Sequence, residues 1–211
     1  MKIQQFTFNP FQENTYLIYN EANEAFIIDP GCYNTLEEEE LNEFIQSRKL
    51  SVKLVVNTHL HIDHIFGNAF VEMTYHVKSM ANREDEFLLR NIEDQAQMFG
   101  VTLRHPAPPI GKYIQEGDHI QFGNEKFDIY QIPGHSPGSI ILYNANNHCV
   151  FVGDVLFRYS IGRTDFQKGD YQSLIKGIKE KLLNLPENTI VYSGHGPSTT
   201  IGEEKAHNPF L

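Results

Sequence analysis

Cysteine is scarce in this chain. There are two, Cys32 and Cys149, each beside an apolar run and without metal-type spacing. Two buried free thiols are the expected reading, ahead of a disulfide or a ligand role. Long apolar runs are also missing, and nothing approaches the roughly 20 residues that a membrane helix needs. The first twenty residues, "MKIQQFTFNPFQENTYLIYN", alternate as a strand does and lack the unbroken apolar core of a secretory signal. A cytoplasmic protein with no membrane partner is the expectation. Positive charge is in short supply, with 17 Lys and Arg against 27 Asp and Glu and a formal charge of −10. That balance argues against a nucleic-acid partner, because a phosphate backbone rewards a basic face. The acidic run "LEEEELNEF" reads as a solvated helix face. It carries no information about substrate.

What is present is an ordinary globular composition in 211 residues, enough for one large domain or two small ones with a substantial core. Strands are predicted at "TYLIYN", "EAFIIDPG", "KLVVNTH", "HIQFGN", "KFDIYQIPG", "SIILYN", "CVFVGD" and "TIVYSGH". All are rich in β-branched and aromatic residues and bounded by turn formers. The Gly-Asn pair at 123–124 suggests a hairpin. Helices are predicted from a Thr35/Glu38 capping box, over about 79–99 closed by Gly100, and from Asp170 with an apolar stripe of Leu174, Ile175, Ile178 and Leu182. "FIIDPG", a helix and "LVVNTH" echo "VFVGD", a helix and "IVYSGH". The echo suggests two similar β-rich halves packed face to face with helices outside.

The stretch "VVNTHLHIDHIFGN" is where chemistry concentrates. Side chains two apart on an extended chain point the same way, so His59 and His61 can aim at one point. The turn that follows swings Asp63 and His64 to a neighbouring one. Imidazoles and a carboxylate suit zinc, iron or manganese. Further ligand types stand just past apolar strands: His135 in "IPGHSPGSI", Asp154 in "VFVGDVLF" and His195 in "IVYSGHGPS". A carboxylate at the end of so apolar a run needs a metal or hydrogen bonds. Asp29 in "IIDPG" either supports a ligand histidine or forms a turn.

"THLHIDH", with His135, Asp154 and His195 downstream in that order, closely resembles the metallo-β-lactamase superfamily. "GDVLFRYSIGRTDFQKGD" looks like the corresponding stretch of its short glyoxalase II-like hydrolases. The resemblance implies an α/β fold, a four-layer αββα sandwich of two mixed sheets, as a single domain over residues 1–211. It implies two divalent metal ions, zinc first, with iron or manganese also suited. His59, His61 and His135 would hold one; Asp63, His64 and His195 would hold the other; Asp154 would bridge them. Such ions, about 3.5–4 Å apart, share a hydroxide by lowering the pKa of water from about 15.7 toward 7, and it attacks a carbonyl. A thioester of a small molecule is the expected target, since its thiolate leaves without a strong acid. Asp63 is the candidate for orienting the nucleophile and handling its proton.

The resemblance has limits. Glyoxalase II enzymes carry a C-terminal helical domain that supplies much of their glutathione site, and only sixteen residues follow His195 here. Glutathione binding is therefore not carried over, and residues 71–115 are left to wall the pocket. Tyr159 stands where short relatives often have a small residue, and a narrower entrance is expected there. Arg163 and Asp165 are expected to pair. Two alternatives share the fold: a mononuclear Fe(II) persulfide dioxygenase using His59, His135 and Asp154, and a lactone or ester hydrolase. A non-catalytic binding module would need no metal. Oligomeric state is not legible.

Overall fold

A computed structural model describes residues 1–211. The chain divides into two compact units, Met1–Ala81 with Glu86–Tyr113, and Asn82–Asp85 with Ile114–Leu211.

The first unit is a six-stranded mixed sheet with helices. In chain order its elements are β1 (Lys2–Phe8), β2 (Glu13–Tyr19), β3 (Glu24–Ile28), α1 (Thr35–Ser47), β4 (Ser51–Val56), α2 (Asn68–Tyr75), β5 (Met80–Ala81), α3 (Glu86–Arg90), α4 (Ile92–Phe99) and β6 (Lys112–Tyr113). The sheet order follows the chain, β1 to β6. Strands β1 to β3 are antiparallel, whereas β3 and β4 run parallel, with Ile28 beside Val56. Edge strand β1 alternates in burial, and β2 and β3 are buried almost throughout. Strands buried along nearly their whole length are covered on both faces. Leu41 and Ile45 of α1 pack on Leu17, Ile27 and Val55 to form the core.

The second unit repeats the plan. It contains β7 (His119–Phe122), β8 (Glu125–Gln131), β9 (Ile140–Asn144), β10 (Cys149–Gly153), β11 (Leu156–Phe157), β12 (Ser160–Ile161), α5 (Tyr171–Gly177), β13 (Ile190–Ser193), β14 (Thr199–Thr200) and α6 (Ile201–His207). Its main sheet has the order β14-β13-β10-β9-β8-β7, with β10 and β13 parallel and the other pairs antiparallel. The echo in the sequence is thus a real one: each unit has a strand, a helix and a parallel strand beside the first. The expected hairpin joins β7 to β8, with Gly123 at φ +57. Leu174, Ile178 and Leu182 are buried against Ile132, Val150 and Val191, as their spacing predicts, while Ile175 stays half-buried.

Three local expectations need correction. The cap of α1 is Asn34, one residue before Thr35, because its side chain accepts from the Glu37 N–H at 3.1 Å. The apolar stripe of α5 outlasts the α-helix, which relaxes into a π-type turn over Ile178–Leu182. The segment 79–99 is not one helix. Met80 pairs with Val56 in the sheet, Asn82 turns the chain by accepting from the Glu84 N–H at 2.9 Å, and Asn91 separates α3 from α4. Gly100, at φ +65, ends α4 as expected.

Cys32 and Cys149 are free and buried. Burial pushes the Cys149 thiol up to about 12 and the Cys32 thiol well above its usual range, so neither is a nucleophile at neutral pH. No helix is long and apolar enough to cross a membrane.

Candidate metal centre

Strand β4 ends at Val56, and the ligand-type residues follow within eight positions. A single 3₁₀ turn over Ile62–His64 reverses the chain before α2 begins. Asn57 holds the turn closed, its amide donating to the His64 carbonyl at 3.0 Å and exchanging bonds with Asn68 at 3.2 and 2.9 Å. This packing crowds the imidazoles. Ring centroids of His59 and His61 lie 4.9 Å apart, and those of His59 and His64 lie 4.1 Å apart. The Asp63 carboxylate stands 3.8 Å from Nε2 of His64. All three imidazoles are buried, whereas Asp63 is partly exposed.

Beneath them, hydrogen counting assigns the tautomers. Asp29, buried and held at φ +49, accepts the Thr58 N–H at 2.7 Å and the Thr58 hydroxyl at 2.6 Å. Thr58 has one hydroxyl hydrogen and spends it on Asp29, so its contact with Nδ1 of His59 at 3.1 Å requires the imidazole to donate. Nδ1 of His64 likewise donates to the Asp29 carboxylate at 3.0 Å. With Nδ1 protonated, Nε2 is the nitrogen carrying the lone pair in both rings. Asp29, His59 and His64 do offer ligand atoms within 4.8 Å of one another. Their bonds make that group a support for ligands, the role the sequence left open for Asp29.

A second buried carboxyl lies behind this layer. Glu13 is fully buried, 3.9 Å from Nδ1 of His64, and desolvation pushes its pKa well above the usual carboxylate range. Gly31 lies against it: a Cβ there would fall 1.9 Å from the Glu13 carboxylate and 2.8 Å from the Asp63 carbonyl. That same carbonyl accepts from the Asn9 amide at 3.0 Å. Gly31→Ala is therefore expected to lower stability by about 1–3 kcal/mol, as overpacking does, and to weaken metal binding through Asp63. Thermal melts with and without added zinc would check both effects.

In the second unit, β10 delivers Asp154, the turn after β8 delivers His135, and β13 delivers His195. One carboxylate oxygen of Asp154 lies 3.6 Å from Nε2 of His135 and 3.6 Å from Nε2 of His195. Nδ1 of His135 donates to the Arg163 carbonyl at 2.8 Å, which again gives Nε2 the lone pair. The β11–β12 hairpin brings that carbonyl back. At Gly162 the chain passes so close to Asp154 that a Cβ would meet its carbonyl at 1.8 Å, so only glycine fits. The Ser193 hydroxyl donates to the Leu156 carbonyl at 2.6 Å and the Gly194 N–H to the Gly153 carbonyl at 2.8 Å, anchoring the strand end before His195.

Arg163 and Asp165 pair as expected, in two bonds of 2.7 and 2.6 Å, and the guanidinium holds the exposed Asp165 carboxyl down to about 2. Tyr159 sits in the hairpin turn at φ +60, with its hydroxyl bonded to Glu203 of α6 and its ring 6.5 Å from His207. Thus the first unit gathers His59, His61, Asp63 and His64, and the second gathers His135, Asp154 and His195. Glu13 and Asn9 escaped the sequence reading because no ligand-type residue stands beside them in the chain, and Thr58 escaped it although it adjoins His59, because its acceptor, Asp29, lies 29 positions away.

The donor set in each unit, imidazoles beside a carboxylate with His59, His64 and His135 oriented through Nδ1, fits a divalent metal. Comparison with known proteins points the same way. The sequence model of the metallo-beta-lactamase superfamily matches residues 8–195. Hydroxyacylglutathione hydrolase GloC of Haemophilus influenzae is 39% identical over 212 residues, covering 100% of this chain and 98% of that protein. The crystal structure of BLEG-1 B3 metallo-beta-lactamase superposes with a TM-score of 0.89 at 36% identity, over 100% of this chain and 99% of that one. The structure of TTHA1623 in a di-iron-bound form gives 0.88 at 34% identity, over 99% and 100%.

Proposed function

This chain belongs to the metallo-β-lactamase superfamily and has its α/β sandwich fold, and on that premise we propose that it hydrolyses a small-molecule thioester at a site holding two divalent metal ions. His59, His61 and His135 would hold one ion, Asp63, His64 and His195 the second, with Asp154 available to either. The observation that carries this reading is the fixed tautomer of three imidazoles, His59, His64 and His135, each with Nδ1 committed to an oxygen acceptor. A histidine that merely packs has no need of that constraint. A ligand does, because its ring must present one lone pair in one direction.

Bound metals supply the positive charge that lowers the pKa of water and polarises a carbonyl. The residues of the chain do the rest. Asp63 is the partly exposed carboxylate of its cluster, with 16% of its side chain open to solvent. It can accept the proton of an attacking water and orient it. Asp29 holds His64 and, through Thr58, His59 in register while this happens. A thioester needs no acid from the protein, since a thiolate is a competent leaving group at neutral pH. The GloC relative, matched over nearly its whole length, is named for a hydroxyacyl thioester of glutathione. That match brings glutathione thioesters back among the substrates to test.

The test is metal content of protein purified without added metal, measured beside turnover of lactoylglutathione, other acyl thioesters and lactones. Two divalent ions per chain with thioester turnover above lactone turnover is the expected result. The di-iron relative makes iron a second metal to look for. One iron per chain, with oxygen uptake on glutathione persulfide and no thioester cleavage, would replace the hydrolase by an oxygenase.

A further inference from the structure

We propose that Asp85 is a positioning residue for His135, a role that rests on the ligand assignment above. Asp85 is fully buried, at the end of the segment Asn82–Asp85, which groups with the second unit although the chain on both sides of it belongs to the first. Its carboxylate grips the turn that carries His135. Oδ2 accepts the Ser136 hydroxyl at 2.7 Å, and Oδ1 accepts the Gly138 N–H at 2.6 Å. Ser136 gives its one hydroxyl hydrogen to Asp85, so the Ser139 hydroxyl, 2.8 Å away, must donate to Ser136. The Ser139 oxygen in turn accepts the Ser136 N–H at 3.3 Å. The result is a closed set of bonds around a buried charge, and every one of them involves the four residues after His135.

The rest of that histidine is held elsewhere. Its imidazole is bonded to the Arg163 carbonyl, and the residue before it, Gly134, accepts the Asp170 N–H at 2.8 Å where α5 begins. The Gln131 amide donates to the Pro137 carbonyl and the Ile132 N–H to the Ser139 carbonyl, both at 2.9 Å, tying the C-terminal side of the turn to the end of β8. Asp85 is the carboxylate that fixes Ser136 and Gly138 of that turn. Charged hydrogen bonds to a buried carboxylate are about twice as strong as neutral ones, so the turn has one arrangement that satisfies them. Loss of the carboxylate leaves the ring tethered but frees Ser136 and the Gly138 N–H from their shared acceptor. Outer supports of metal ligands typically cost 10–100-fold in metal affinity when removed.

Asp85→Asn keeps the shape but turns an amide N–H₂ toward one of two donors. In the full chain it is expected to weaken zinc binding about 10–100-fold in competition with a chelator. Ser136→Ala removes one bond of the two and should weaken it several-fold; it decides the matter if Asp85→Asn does not fold by circular dichroism. Ile178→Val, a core substitution in the same unit that leaves the turn intact, should bind zinc as the unaltered chain does. Equal affinity in the unaltered chain and the turn variants would overturn the positioning role alone. Equal weakening in Ile178→Val would overturn it too, by showing a general loosening. If the unaltered chain binds no zinc, the ligand assignment fails first and this inference with it.

Discussion

Dialysis against a strong chelator is expected to abolish thioester hydrolysis, by at least about 10³-fold, and to lower the melting temperature; zinc should restore both. The size of the first effect follows from where the charge must come from. Removing a single donor that stabilises an oxyanion costs about 10²–10³-fold in other hydrolases, and the metals both stabilise the oxyanion and generate the nucleophile. Arg163, whose carbonyl holds His135, has its guanidinium committed to Asp165 and does not take over that charge. The second effect is mass action: metal that binds only the folded chain stabilises it in proportion to the logarithm of its concentration over Kd. Acid should act like the chelator, because protonated imidazoles cannot ligate. Activity that survives complete removal of metal would refute the proposed reaction.

A large effect on both metal affinity and stability is expected from a single substitution at Asp29, which is buried and bonded to Thr58 and His64. Its two oxygens accept three hydrogen bonds, two from Thr58 and one from His64. An asparagine side chain has one oxygen and an N–H₂ group, so at least one donor must face another donor. The backbone at this position would be at ease, since asparagine tolerates positive φ. The damage is confined to hydrogen bonding. If the amide nitrogen takes the place of Oδ2, His64 is driven to the other tautomer, and Thr58 loses its reason to accept from His59. Asp29→Asn is therefore expected to weaken metal binding about 10–100-fold and to lower stability by about 1–3 kcal/mol, the cost of a buried unsatisfied group. Metal titration followed by calorimetry would measure both. An unchanged metal affinity would show that the tautomers are held by something other than Asp29.

Much of the fold was legible. Each of the eight strand segments read from the sequence forms a strand, and the two strand–helix–strand units share the parallel pairing that their likeness suggests. Those segments carry their signal locally, in β-branched residues and in the Asp, Gly or Asn that ends them. The segment 79–99 was misread because helix-forming composition cannot show that Met80 finds a sheet partner in Val56. Strands of two residues, such as β11 and β12, are too short for any period to register, although their hairpin is what returns the Arg163 carbonyl to His135.

The sequence alone determined which side chains stand where strands end, and hence that His59, His61, Asp63, His64, His135, Asp154 and His195 are of one kind. Spacing of two along an extended chain, and a carboxylate or imidazole after an apolar run, are local facts that need no fold to be seen. Only tertiary structure decided which nitrogen of His59, His64 and His135 carries the lone pair and what keeps it there. Those choices rest on hydrogen bonds that reach across the chain, His64 to Asp29 across 35 positions and His135 to Arg163 across 28, and for His59 on Thr58, itself fixed by Asp29. A tautomer is set by the acceptor that meets it, and no pattern along the chain announces an acceptor that arrives from another strand.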